Sequence, residues 1–285
     1  MTANVLELED IVVTHRRSGG PAVQAVRGVS LTVAPGQVVG LVGESGCGKS
    51  SLARVACGIH APTSGAVRFE GAPLEPLRMR QRPAADRKLQ MVFQNPYASL
   101  SPRRTIASQL LDGVTEPIPR EQRAAEVARL LELVGLDAAA GSRYPSQFSG
   151  GQRQRLAIAR ALAAKPSLVV ADEPVTALDA FSSAQIVQLL QSLVRELGMG
   201  MLFISHDLSL VRAIADETAV MYAGEIVERG PSEQLWERAT HPYTKTLIAA
   251  IPEIGPVKKL PGLDEDVAEP AAAGVDAAAT NGASA

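Results

Sequence analysis

The feature that most limits what this chain can fold into is Gly43-Glu44-Ser45-Gly46-Cys47-Gly48-Lys49-Ser50. It follows a short apolar run, Gln37 to Val42, of the kind buried in a parallel sheet. It opens a stretch from Lys49 to about Gly58 that reads as helix. Strand, glycine-rich turn and helix make one half of a βαβ unit. The spacing is that of G-x-x-x-x-G-K-[ST]. Glycines reach backbone angles that a side chain blocks, so successive N–H groups can aim at phosphate oxygens, backed by a helix N-terminus. Lys49 can then reach the β- and γ-phosphates, and the Ser50 hydroxyl can ligate Mg²⁺. Gly43 through Ser51 form the candidate nucleotide-binding segment.

A second apolar run, Leu168 to Ala171, ends in Asp172 and Glu173. Ligands of open α/β sheets bind beyond strand ends. Two adjacent carboxylates there are costly unless a cation or a proton transfer balances them. Asp172 suits the water shell of Mg²⁺. Glu173 suits the general base that polarises an attacking water, a role worth roughly 10²–10⁴ in rate. Between these two segments lies Phe148-Ser149-Gly150-Gly151-Gln152-Arg153-Gln154-Arg155, ahead of an apolar helix face of Leu156, Ile158, Ala159 and Leu162. A serine is a good N-cap, but a cap needs no double glycine. Ser149 with two bare glycines makes a second anion site at a helix start.

The rest of the chain reads as α/β. Leu6 to Thr14, Val29 to Val33, Val67 to Glu70, Leu89 to Phe93 and Met201 to Ile204 are expected strands. From about Asn95 to Lys165 the pattern is helical. Within it Val127, Leu130, Leu131 and Val134 mark one face of a helix over Arg120 to Val134, with Pro119 at its start. Gln185 to Leu197 is the expected crossover helix between parallel strands. Residues 264–285 are Ala-rich and acidic, and are expected to be disordered. Arg78 to Arg82 reads as a solvated basic loop, Cys47 as a small filler within the glycine loop, and Cys57 as core.

Charge narrows the function. Lys plus Arg total 28 against 30 Asp plus Glu, a net of −2, so the basic excess of a nucleic-acid binder is missing. Two cysteines build neither a disulfide framework nor a four-thiolate metal site. Mean hydropathy is +0.07 and no 18-residue apolar run occurs. The first residues carry Glu7 where a secretory signal would be basic and then apolar. The chain is expected to stay in the cytoplasm, with docking on a membrane partner still open to it.

Taken in order, these motifs resemble the ATP-binding subunit of an ABC transporter over about residues 5–255. The resemblance implies a P-loop NTPase (ABC-type) core with an N-terminal antiparallel β-subdomain and an inserted helical subdomain at about 95–165. It implies one ATP-binding domain over 1–255, followed by a tail over 256–285. It also implies that Ser149, Gly150, Gly151 and Gln152 close on the γ-phosphate held by a partner's phosphate loop, a helix dipole and fixed donors supplied in trans. Gln94 takes the position of the family's glutamine that senses Mg²⁺ and the membrane partner. Asp179 takes that of its cross-dimer aspartate, and His206 that of its γ-phosphate histidine. The family stacks an aromatic on adenine near the first strand. His15 stands there here, with less stacking area.

The stretch from Gln94 through Tyr97 to Arg103, and that from His241 to Ile248, resemble dipeptide and oligopeptide importers. Nickel and other small-solute importers share them, and a soluble ABC-type ATPase acting on nucleic acid or ribosomes is the alternative class. The implied partners are a second, often different, ATP-binding subunit, permease subunits near Gln94 and Tyr97, and indirectly a solute-binding protein. The implied ligands are ATP and Mg²⁺.

Overall fold

The computed structural model describes residues 3–15, 22–77, 82–95 and 99–251. Alternating apolar residues make the first strands. In β1 (Leu6–His15) and β2 (Val23–Val33), Leu6, Leu8, Ile11, Val26, Val29 and Leu31 point inward. β3 (Val38–Val42) is buried along its whole length and leads through the glycine loop into α1 (Lys49–Ala56). β4 (Ser64–Phe69) and the short β5 (Ala72–Pro73) complete a four-stranded antiparallel sheet in the order β2-β1-β4-β5.

Among the described residues, β6 (Leu89–Val92) is followed by α2 (Ile106–Gly113), α3 (Arg123–Leu133) and α4 (Gly150–Leu162) before the next strand. The expected helix over Arg120 to Val134 starts as a 3₁₀ turn at Arg120–Gln122, with Pro119 at its N-cap, before α3 begins. β7 (Leu168–Asp172), α5 (Ala180–Leu197) and β8 (Gly200–Ser205) form the expected crossover. α5 starts earlier than its apolar pattern because the Asp179 carboxylate caps it, accepting from the Ser182 N–H at 2.9 Å. α6 (Leu208–Ile214), β9 (Glu217–Tyr222), β10 (Glu225–Pro231), α7 (Ser232–Arg238) and α8 (Pro242–Ala249) follow, none of them anticipated from sequence.

The main sheet has the order β10-β9-β3-β8-β7-β6, with β10 antiparallel to β9 and the other neighbours parallel. Period-2 alternation divides its residues between two cores. Val39, Leu41, Leu168, Val170, Leu202 and Ile204 pack with α1 and the antiparallel sheet. Val38, Val42, Val169, Ala171, Met201 and Phe203 pack with the helices of the other side. Both faces are covered, which is why β3, β7 and β8 read as continuous apolar runs. The tail expected over 256–285 lies outside the described residues.

Candidate functional site

The phosphate loop starts where β3 ends, and its glycines are required by close approach. At Gly48, φ is 115°, and a Cβ would lie 2.1 Å from the Ala25 carbonyl oxygen. At Gly43, φ is 155°, and a Cβ would lie 2.1 Å from the Met221 carbonyl oxygen. The loop is thus clamped between β2 and β9. Lys49 is only 4% exposed. Its Nζ donates to the carbonyls of Gly43 at 2.7 Å and Glu44 at 2.9 Å, and lies 3.9 Å from Cys47 Sγ. A buried ammonium held by neutral carbonyls suits an anionic ligand. Burial pushes the Cys47 thiol up, so it fills space as a neutral group. Cys57 lies in the core, its thiol pushed up to about 12 by burial.

Asp172, at the end of β7, is 7% exposed and accepts from the Ser50 hydroxyl at 3.1 Å. Burial raises its carboxyl above the ordinary carboxylate value, Glu173 adds to that shift, and the Ser50 hydrogen bond opposes it. The next residue is bent. Glu173 has φ 49°, a left-handed conformation rare outside glycine, while its N–H still donates to the Ile204 carbonyl at 2.9 Å. That bend turns its carboxylate toward the neighbouring strand ends. Oε2 accepts from Thr176 Oγ1 at 2.9 Å and from Gln94 Nε2 at 3.4 Å, and lies 3.2 Å from His206 Nδ1. Gln94 follows β6, Glu173 follows β7 and His206 follows β8, so parallel neighbours bring all three together. Thr176 was missed from sequence; no spacing rule singles out a threonine in the loop after a strand.

His15, at the end of β1, has its Nε2 3.0 Å from Ser51 Oγ, beside the start of α1. The Ser149-to-Gln152 segment begins α4 as a capping box. The Gln152 N–H donates to Ser149 Oγ at 3.3 Å, and the Ser149 N–H donates to Gln152 Oε1 at 3.0 Å. An ideal Cβ at Gly150 would meet Leu178 at 3.4 Å, and one at Gly151 would meet Ser182 at 3.4 Å. The segment is therefore grouped with the Asp179 turn. The Ser182 N–H beside Asp179 holds that carboxyl below its usual value. Among the described residues, no hydrogen bond or ion pair joins Ser149–Gln152 or Asp179 to the phosphate loop. Arg82 donates to the Leu89 carbonyl at 3.1 Å and to the Cys57 carbonyl, so it braces the sheet edge. Arg78 to Gln81 and Tyr97 lie outside the described residues. No helix among the described residues is long and apolar enough to cross a membrane.

Set against known proteins, residues 26–176 match the ABC transporter family profile. A probable peptide ABC transporter ATP-binding protein of Sinorhizobium fredii is 50% identical over 244 residues, covering 84% of this chain and 68% of that protein. The oligopeptide transport ATP-binding protein OppF of Bacillus subtilis is 44% identical, with 88% and 84% covered. A dimeric ATP-binding cassette bound to ADP and Pi in a post-hydrolysis state superposes with a TM-score of 0.71 at 28% identity, covering 80% of this chain and 98% of that one. The chain belongs to the ABC transporter family, as an ATP-binding subunit that hydrolyses ATP. Its residues 227–275 further match the C-terminal region of oligopeptide/dipeptide transporters. The resemblance read from the motifs is borne out in family and in fold.

Proposed function

We propose that this chain energises import of di- or oligopeptides as one of a head-to-tail pair of ATPase subunits on the cytoplasmic face of a membrane. The observation that carries this reading is the match of residues 227–275 to the oligopeptide/dipeptide transporter C-terminal region. Residues 1–255 act as the ATP-binding domain, with a helical subdomain inserted at about 95–165.

In this reading Gly43 through Ser51 cradle the phosphates of ATP, Lys49 exchanges its loop carbonyls for phosphate oxygens, and His15 stacks on adenine. The donor set fits Mg²⁺: one hydroxyl on Ser50 and one nearby carboxylate on Asp172, with Gln94 hydrogen-bonded to Glu173, the residue after Asp172. When bound, the ion neutralises charge on the phosphate oxygens. Glu173 accepts a proton from water as the water oxygen attacks the γ-phosphorus. The bond to the bridging oxygen breaks, and ADP and phosphate leave. Gln94 and Thr176 orient the Glu173 carboxylate, and His206 contacts the γ-phosphate. Ser149 to Gln152 complete the partner's site, with Asp179 beside them at the interface. Phe181, 74% exposed two residues beyond Asp179, supports a covering partner there.

A cleft of about 710 Å³ beside β6, lined by Leu77, Met91, Phe93, Val114 and Arg160 among others, supports permease docking near Gln94 and Tyr97. A solute-binding protein joins the system indirectly, through the permease. A strain lacking this chain should lose uptake of a labelled dipeptide. The wild-type chain should restore it, and Glu173→Gln should not. Intact peptide uptake with lost nickel uptake would overturn the peptide assignment.

A further inference from the structure

The C-terminal region folds back onto the phosphate loop, and a chain of hydrogen bonds fixes how it does so. Glu228 of β10 accepts from the Thr240 N–H at 2.7 Å and the His241 N–H at 3.2 Å. His241 Nδ1 caps α8, accepting from the Tyr243 N–H at 3.2 Å, and Pro242 supplies the first helical residue. Thr244 is fully buried behind them. The Tyr243 ring lies in the first turn of this helix. It packs on Tyr222 with centroids 4.3 Å apart and planes at 41°. Its hydroxyl oxygen accepts from the Glu44 N–H at 3.0 Å.

That N–H belongs to the phosphate loop. The Glu44 carbonyl, on the other side of the same residue, is held by Lys49. Tyr222 follows Met221, the residue against which Gly43 is pressed. The end of β9, α8 and the loop entrance thus meet at one point. Fold stability alone does not call for the phenol oxygen, because Glu44 is exposed and water would satisfy its N–H equally well. A phenylalanine would keep the ring contact. What the hydroxyl adds is a fixed orientation of the first peptide of the phosphate cradle.

We infer that Tyr243 is a positioning residue for ATP: its hydroxyl holds Glu44 so that the loop is preorganised for phosphate, which lets the C-terminal region set nucleotide affinity. This inference rests on the reading of Gly43–Ser51 as the ATP cradle. Burial raises the Tyr243 phenol, which keeps it a neutral acceptor.

The test is Tyr243→Phe in the full chain, with binding of a fluorescent ATP analogue, thermal melting, and steady-state ATP hydrolysis in the assembled transporter. Loss of one such hydrogen bond should weaken ATP binding and raise KM by about three- to tenfold, with kcat within about twofold and the melting temperature unchanged. Unchanged affinity, a loss that tracks a lower melting temperature, or a fall confined to kcat would each overturn it. Lys49→Ala separates the two layers. If that variant binds ATP like wild type, the cradle reading fails and this inference falls with it. If Lys49→Ala loses ATP while Tyr243→Phe keeps full affinity, only the role of Tyr243 fails.

Discussion

One carboxylate oxygen gathers three polar side chains around it. Thr176, Gln94 and His206 all lie within 3.4 Å of Glu173 Oε2. Thr176 is the shortest contact, and Thr176→Val keeps its shape while leaving the carboxylate one donor short. In the proposed reading kcat falls about tenfold with KM unchanged, as expected for a hydrogen bond to a charged group. Steady-state phosphate release at varied ATP checks both parameters. At this scale, legibility followed distance along the chain. Gly43 to Ser51 could be read because the chemistry needs those residue types at fixed local spacing. The Glu44–Tyr243 hydrogen bond joins residues 199 positions apart, and no local pattern encodes such a contact.

Elements were legible where burial was complete. β3, β7 and β8 are buried at every position, so each is a plain apolar run. β10 is half-exposed and carries Glu225, Glu228 and Arg229, so its charge hid it, and β9, its hairpin partner, went with it. The helices between β6 and β7 owe part of their stability to surface pairs. On α3, Arg129 holds Glu126 with two bonds, Nε to Oε2 at 2.8 Å and Nη2 to Oε1 at 2.6 Å. The Arg129 hydrogen bonds keep the Glu126 carboxyl below its ordinary 4.5, against a smaller opposing effect of burial. A carboxyl lowered on folding stabilises above that ordinary value, and the contribution is lost as pH falls through the folded value. Glu126→Gln should therefore cost about 0.3–0.5 kcal/mol at pH 7, the usual size of a partly exposed helical pair. In acid well below 4.5 it should cost nothing. Urea melts at the two pH values measure the difference.

At the scale of the whole molecule, the site residues fall into two groups. The phosphate loop and the strand ends form one, and Ser149 to Gln152 with Asp179 form the other. The sequence pattern identified both, but only family resemblance said that the second serves a facing subunit. Ser149→Arg tests this directly. It should abolish turnover of the assembled pair while the separate chain binds ATP with wild-type affinity, read by fluorescent-nucleotide titration. Lost binding in the separate chain would place the serine in its own site.

The sheet order carries one more consequence. Among the described residues β6 is the outermost strand of its sheet, paired with β7 alone, and Gln94 lies just beyond its end. Its reach to Glu173, 3.4 Å, is also the longest of the three. The arm of the reaction centre that is easiest to nudge is therefore the one at the rim. In the proposed reading, pressure applied there would reach the proton acceptor before any inner strand had to shift.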